Sequence, residues 1–262
     1  MSQAFLLGTP FYHLEEVDST NSYLKRNAAD LPHGTCLMAD RQTAGRGRLS
    51  RTWNTQEGAL AMSVLLRRPV PELETLPLIC ALGVIRGLSR LCGWDASSPR
   101  LPLGIKWPND ILLLLPGSRV KKLCGILCEA VICGEERFHV CGIGINLRQN
   151  PDLSAQLPYA GFLEELAPLP PREQLAKEIC RQLGKGLGLP FSVQREEYQR
   201  HCVNLGRAAA FQHPSGPKQG VAVGVTTRGR LLVDCQGQAL ELNAGECSVQ
   251  GIYGAPADQI RG

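Results

Sequence analysis

The segment Gln42-Thr43-Ala44-Gly45-Arg46-Gly47-Arg48-Leu49-Ser50-Arg51-Thr52-Trp53 decides how the rest of the chain is read. Its last nine residues hold three arginines, two glycines and a tryptophan. An apolar run precedes it, Thr35 to Ala39, and another follows, Ala59 to Leu66; both read as strands. A cationic loop therefore hangs between two strands. Gly45 and Gly47 permit close backbone approach or a positive φ. Guanidinium groups bind phosphate or carboxylate through two parallel hydrogen bonds, and Trp53 offers a flat face for a base. Alone, the loop reads equally well as a nucleotide-phosphate site, or as a solvated basic loop or an RGG-like nucleic-acid contact.

Further along, Lys106-Trp107-Pro108-Asn109-Asp110 precedes a strand from Ile111 to Leu115, with Pro108 forcing a turn at Asn109 and Asp110. After the hairpin turn Pro116-Gly117-Ser118-Arg119, Lys121 and Lys122 enter a strand running from Leu123 to Ala130. Neighbouring strand residues face opposite ways, so one of the two lysines points inward. Phe138 to Ile145 is another strand, containing Gly142-Ile143-Gly144 and ending at Asn146. It lacks the third glycine and the following helix of a dinucleotide fingerprint, and no Walker A loop occurs in the chain. Upstream, Phe11 to Val17 reads as a strand. Asp18, Ser19 and Thr20 supply helix N-caps, and Ser22 to Ala29 reads as the helix they start.

Taken in order, Asp18-Ser19-Thr20-Asn21-Ser22, Gly45-Arg46-Gly47-Arg48 with Arg51 and Trp53, Lys106 to Asp110, Lys122-Leu123-Cys124-Gly125-Ile126-Leu127 and Gly142 to Asn146 resemble the biotin–protein ligase family. The resemblance covers Asp18 to Asn146 and weakens beyond Gly206. It implies that biotin is bound by Ser19, Thr20, Asn21, Gln42, Arg46, Gly47, Arg48 and Lys122. It implies nucleotide contacts from Arg51, Trp53, Lys106 and Asn146, with Trp53 as a wall beside adenine and Lys106 either on the adenylate side or structural. Lys122, Arg48 and Asp110 are the implied catalytic residues. Lys122 would sit between the biotin carboxylate and the α-phosphate, and small residues of the last strand would let ligand lie close. For Asp110 three roles stay open: orienting the acceptor amine, holding Mg²⁺ or fixing Lys122. The implied substrates are biotin and ATP with Mg²⁺, and the implied partner is a biotin carboxyl carrier protein with one acceptor lysine. The loop is expected to be mobile when empty and to order over the ligand. Lipoate–protein ligase shares this chemistry and is the nearest rival; a non-catalytic nucleic-acid-binding module is a second.

The remaining sequence sets the frame. Leu73 to Cys92 has apolar residues at helical spacing and ends at Gly93. Gln149 to Pro171 contains five prolines and reads as a link, followed by helices at Arg172 to Gly186 and Gln194 to Asn204. Four short strands follow, Ala208 to Phe211, Gly220 to Thr226, Leu231 to Cys235 and Ala239 to Leu242, with glycine-rich turns between. The expected fold is α+β: a mixed sheet with helices mainly on one face over 1–205, then a small SH3-like β-barrel over 206–262. About ten residues precede the first strand, which leaves no room for the helix-turn-helix carried by repressor members of the family, so specific DNA binding is not expected. A net charge of +4 and 5% aromatic content argue against bulk nucleic-acid binding. No run is long enough to span a membrane and no signal peptide is visible. The count of eleven cysteines is odd and contains no Cys-x-x-Cys. They read as reduced core residues of a cytoplasmic protein rather than as metal ligands, and Cys124 and Cys128 lie too far apart along one strand to chelate. The chain is expected to be a monomer or a homodimer.

Overall fold

The computed structural model describes residues 6–48, 51–53, 58–67, 73–213, 215–244, 247–249 and 252–260; Leu49 and Ser50 of the arginine loop lie outside this set. Two sheets are present. The first has seven strands: β1 (Phe11–Val17), β2 (Cys36–Gln42), β3 (Ala59–Leu66), β4 (Leu103–Lys106), β5 (Asp110–Leu113), β6 (Lys121–Cys133) and β7 (Glu136–Asn146). Their order across the sheet is β1-β2-β3-β7-β6-β5-β4. β1 and β2 run parallel, and every other pair is antiparallel, so the sheet is mixed as expected. β4 was not anticipated: its four residues carry no alternation, and the hairpin with β5 defines them.

The two faces of this sheet are covered differently, and that difference creates the site. Helices α2 (Leu76–Cys92), α4 (Arg172–Leu187) and α5 (Phe191–His201) join the back face in one large core. Odd-numbered residues of β7, Cys141, Ile143 and Ile145, point into it, as do Cys124 and Ile126 of β6. On the front face the short helix α1 (Thr20–Arg26) packs against β2, β3 and β7. Leu24 and Ala28 pack there on Leu37, Leu65, Phe138 and Val140. Along the front of β7 the side chains then shrink from Phe138 and Val140 to Gly142 and Gly144. Where they shrink, the sheet is open to a cavity.

β3 explains the unbroken apolar run in the sequence: it is central, all eight of its residues are buried, and both its faces are covered. α2 ends at Gly93, whose φ of 70° is the left-handed conformation that closes a helix. The proline-rich link holds a short helix, α3 (Pro151–Gln156), started by Asn150, whose side chain accepts from Leu153 N; the flanking prolines masked it in the sequence. Among the described residues, no helix is long and apolar enough to cross a membrane.

The second sheet is antiparallel with order β11-β10-β9-β8-β12, formed by β8 (Ala208–His213), β9 (Gly216–Val225), β10 (Leu231–Cys235), β11 (Gln238–Leu242) and β12 (Cys247–Val249). It is the expected small β module with one more strand than the sequence suggested, β12 being only three residues long. Ala209, Phe211, Val225 and Leu231 extend the large back core. Trp107 is 6% exposed; its Nε1 donates to Gly229 O at 2.9 Å and its backbone N donates to Asn204 Oδ1 at 2.7 Å. The tryptophan of the Lys106–Asp110 segment therefore joins the two sheets.

Candidate active site

A cavity of about 1040 Å³ lies on the open front of the large sheet, with walls from the second sheet and Tyr253. Ser19, Thr20, Asn21, Gln42, Arg46, Gly47, Arg48, Arg51, Trp53, Lys106, Asp110, Lys122 and Asn146 all line it. Every residue singled out from the sequence is therefore in one place.

At one end the groups are neutral and polar. Ser19 caps α1 by accepting from Ser22 N at 3.4 Å. The cap fixes the start of the helix at the cavity wall, where Ser19, Thr20 and Asn21 all line the cavity. Thr20 donates from both N (2.8 Å) and Oγ1 (3.1 Å) to Gln42 Oε1. Ser63 Oγ, on β3, lies 2.7 Å from Thr20 Oγ1 and 2.6 Å from Asn21 Oδ1. Asn21 Nδ2 donates to Leu127 O at 3.1 Å and to Glu129 Oε2 at 2.9 Å. This network fixes which donors and acceptors face the cavity, the arrangement needed to bury a polar ring without unmatched groups.

Glu129 was missed in the sequence, although a lone carboxylate in an apolar strand is a signal. It receives Asn21, Lys25 at 2.8 Å and Arg46. Burial pushes its carboxyl up, but the hydrogen bonds from Lys25, Arg46 and Asn21 outweigh that and hold it below the usual carboxylate range. Arg46 thus ties the arginine loop to the sheet. The loop is also folded on itself: Gly47 N donates to Arg51 O at 2.6 Å, Trp53 N to Gly45 O at 2.9 Å, and Arg46 pairs with Thr52 as a single antiparallel bridge. Gly45 is required, because a Cβ there would lie 2.2 Å from Trp53 O.

The other end is cationic. Arg48, Arg51, Lys106, Lys122 and Lys218 line the cavity together with Arg46, and Asp110 is the one carboxylate among the described lining residues. Lys122 Nζ and Asp110 Oδ1 are 2.7 Å apart. Lys121, its neighbour, points away to Glu165 at 2.6 Å, which settles which of the two lysines turns inward. The backbone of Lys122 is fixed by Tyr159 O (2.6 Å) and Gly161 N (2.8 Å). Arg48 Nη1 donates to Asn109 Oδ1 at 3.0 Å, while Asn109 itself donates to Ile126 O at 2.8 Å. Burial lowers the pKa of Arg48 and of Lys106, and the Asp110 charge opposes both shifts. Asn146 Nδ2 approaches Lys122 O at 3.4 Å.

Tyr253 was also missed. Its hydroxyl donates to Asp110 Oδ2, and Lys106 Nζ stands 3.8 Å from its ring centroid. Burial raises its pKa, with Asp110 adding to the shift, so it stays protonated as the donor. Nothing local in the sequence marks it; it arrives from the far end of the chain because Val120 N bonds Ala255 O and Arg119 Nη1 bonds Gly254 O.

The glycines of β6 and β7 meet side chains of the protein itself. A Cβ on Gly142 would stand 2.3 Å from Asn21 Oδ1, and one on Gly144 would stand 2.4 Å from Trp53 Cε2. One on Gly125 would be 2.9 Å from Trp53 Cζ3. These positions make room for side chains of the protein itself. Trp53 lies over the Gly125–Gly144 floor with Lys122 Nζ 5.7 Å from its ring centroid.

The geometry can hold a molecule with a polar ring at one end and anionic groups at the other. The comparisons with known proteins agree. The Biotin/lipoate A/B protein ligase family matches residues 14–146, and the biotin protein ligase C-terminal domain matches residues 205–250. The Bifunctional ligase/repressor BirA of Bacillus subtilis is 32% identical over 266 residues, covering 93% of this chain and 72% of the relative. The Biotin--[acetyl-CoA-carboxylase] ligase of Mycobacterium tuberculosis is 29% identical over 242 residues, covering 88% of this chain and 85% of the relative. Among solved structures, the biotin protein ligase from Aquifex aeolicus in complex with biotin and ATP superposes with a TM-score of 0.71 at 31% identity, covering 91% of this chain and 97% of that one. With the motifs gathered in one cavity and both parts of the chain matched, the protein belongs to the biotin/lipoate A/B protein ligase family, on its biotin protein ligase branch.

Proposed function

We propose that the chain activates biotin with ATP as biotinyl-5′-AMP and transfers the biotinyl group to one lysine of a biotin carboxyl carrier protein. One observation carries this reading: a single cavity has a neutral hydrogen-bonding end at Ser19, Thr20, Asn21 and Gln42 and a cluster of cations at the other. The neutral end suits a ureido ring, which has donors and acceptors to match. The cationic end suits a carboxylate and a triphosphate brought together.

In the first step a biotin carboxylate oxygen attacks the α-phosphorus of ATP, supplied as its magnesium complex, and pyrophosphate leaves. Lys122 and Arg48 draw the two anions into line and stabilise charge on the five-coordinate phosphorus. In the second, the ε-amine of the acceptor lysine attacks the acyl carbon, loses a proton and releases AMP. Of the three roles open to Asp110, its 2.7 Å contact with Lys122 favours positioning that lysine, with Tyr253 occupying the other carboxylate oxygen. Arg51, Lys106 and Asn146 are assigned to the nucleotide side. No covalent enzyme intermediate is needed, and among the described lining residues no histidine stands beside a serine or cysteine. The arginine loop covers the mixed anhydride and keeps water from it. The boundary between the catalytic part and the C-terminal part is taken at residues 205 and 206, the compartment as the cytoplasm, and the protein as a monomer or homodimer.

ATP–pyrophosphate exchange, run with biotin, lipoate, octanoate and no acid, tests the proposal. Exchange with biotin alone is expected. Exchange with lipoate in place of biotin would overturn the substrate, and absence of exchange with every acid would overturn the reaction.

A further inference from the structure

Behind the cavity, on the other face of the same strands, three thiols meet. Cys80 lies on α2, Cys128 on β6 and Cys141 on β7, and their sulfur atoms all lie within 4.8 Å of one another. Cys80 Sγ and Cys128 Sγ are 3.9 Å apart. Cys128 and Cys141 are directly opposite in the antiparallel register, and the helix lowers Cys80 onto that pair. All three are free thiols. The sequence did not suggest this group, since the three positions are far apart along the chain and only the sheet register and the helix bring them together. Other buried cysteines are placed differently: Cys36 pairs with Cys180, and Cys202 bonds Asn204.

The spacing matches one particular chemistry. Three sulfurs around one ion, with metal–sulfur bonds of about 2.3 Å, stand about 4 Å apart in a trigonal plane. The three sulfurs here need to move by well under an ångström each to reach that. No fourth histidine, cysteine or carboxylate atom joins the group among the described residues. Zinc in a structural site takes four ligands, whereas three thiolates without a fourth ligand suit Cu(I) and soft ions like it. Cys80 and Cys141 are buried, and Cys128 is half-buried. Cys128 also lines a second cavity of about 900 Å³ beneath the arginine loop, which gives an ion a way in.

We propose that Cys80, Cys128 and Cys141 form a binding site for one soft, thiophilic ion of low coordination number, of the Cu(I) class. Loading involves no oxidation: metal–sulfur bonds form, and each thiol that becomes a thiolate releases one proton to solvent. The ion bridges α2 to β6 and β7 directly behind the strand segment that carries Glu129 and Gly142. Binding to the folded chain alone raises its melting temperature.

The test is an anaerobic titration of the reduced full chain with Cu(I) held by a chromophoric Cu(I) chelator. The chain is expected to withdraw one equivalent. Cys128→Ala is expected to weaken this by more than about 100-fold, since even changes outside the ligand shell cost about 10- to 100-fold. Cys92→Ala, outside the cluster, is expected to retain the parent affinity. Parent affinity in Cys128→Ala, or an equal loss in Cys92→Ala, would overturn the site. Zn(II) displacing Cu(I) at equal concentration would overturn the three-coordinate assignment. A second reading needs no variant: alkylation of Cys128 in the unaltered chain, followed by peptide mass spectrometry, should slow when one equivalent of Cu(I) is present. Unchanged alkylation would also overturn the proposal.

Discussion

The arginine loop and the Lys106–Asp110 segment both face the cavity, yet they are built in opposite ways. The loop sends Arg46, Gly47, Arg48, Arg51 and Trp53 to the cavity and is held, among the described residues, by its own short hairpin, by the Arg46–Glu129 contact and by the Arg48–Asn109 hydrogen bond. The second segment is held from all sides. Trp107 is buried against Gly229 and Asn204, Pro108 O accepts from Tyr198 Oη at 3.3 Å, and Asn109 is bonded twice to the backbone of Ile126. Asp110 is already the first residue of β5. The two motifs therefore divide the work: one is a rigid anvil that positions Asp110 and Lys122, and the other is a cover with fewer ties among the described residues. A segment with few buried contacts opens at lower cost than one locked into the core, so the two should respond differently to mutation.

The sharpest separation is in stability. Trp107→Ala removes a buried aromatic that joins both sheets and should cost about 3–5 kcal/mol, read as a lower midpoint in chemical denaturation. A loop substitution such as Arg48→Gly should leave that midpoint nearly unchanged. Equal losses would abolish the distinction between anvil and cover. Next comes catalysis at the rigid side. Lys122→Ala should lower biotin-dependent ATP–pyrophosphate exchange by about 10²- to 10³-fold, the usual cost of a fixed group that stabilises transition-state charge. Near-normal exchange would remove Lys122 from that role. Arg48→Gly tests the cover differently. The chain should still make the adenylate but retain it poorly, so that lysines of unrelated proteins become labelled in a mixed reaction. Labelling confined to the carrier protein would count against the loop as a seal.

The smallest expected effect concerns pH. Glu129 has a lowered pKa in the folded chain because Lys25, Arg46 and Asn21 outweigh its burial. Its contribution is therefore fully present above the ordinary glutamate value of 4.5 and is lost as pH falls through the lower folded value. Cleavage within the arginine loop by an acid-active protease should rise across that window, while the Lys106–Asp110 segment stays protected. In Glu129→Gln the rise should vanish, with the loop equally open at each pH. A loop protected equally at every pH in the unaltered chain would mean that its own hairpin, and not Glu129, holds it.

Much of this was legible because the relevant residues are close in sequence. Ser19 caps its helix because a hydroxyl in the extended conformation reaches an N–H three residues on, a purely local event. The run Ala59 to Leu66 reads as a strand from its apolar residues, and the structure buries both its faces. Gly93 closed α2 through its own backbone freedom. β4, β12 and α3 escaped notice for the converse reason: four residues, three residues and a turn between prolines carry too little periodicity, and their partners supply the structure.

The sequence by itself determined the order of the longer elements, the cationic character of one loop and the set of residues that gather at the cavity. These depend on periodicity, caps and residue chemistry, which act over a few positions. Only the tertiary structure decided that Tyr253 reaches Asp110, that Glu129 holds Arg46, that Gly142 and Gly144 admit Asn21 and Trp53, and that three distant cysteines share one spot. Such meetings follow from strand register and from which face of a sheet a helix covers. A shift of one residue in register would turn every one of these strand side chains to the other face.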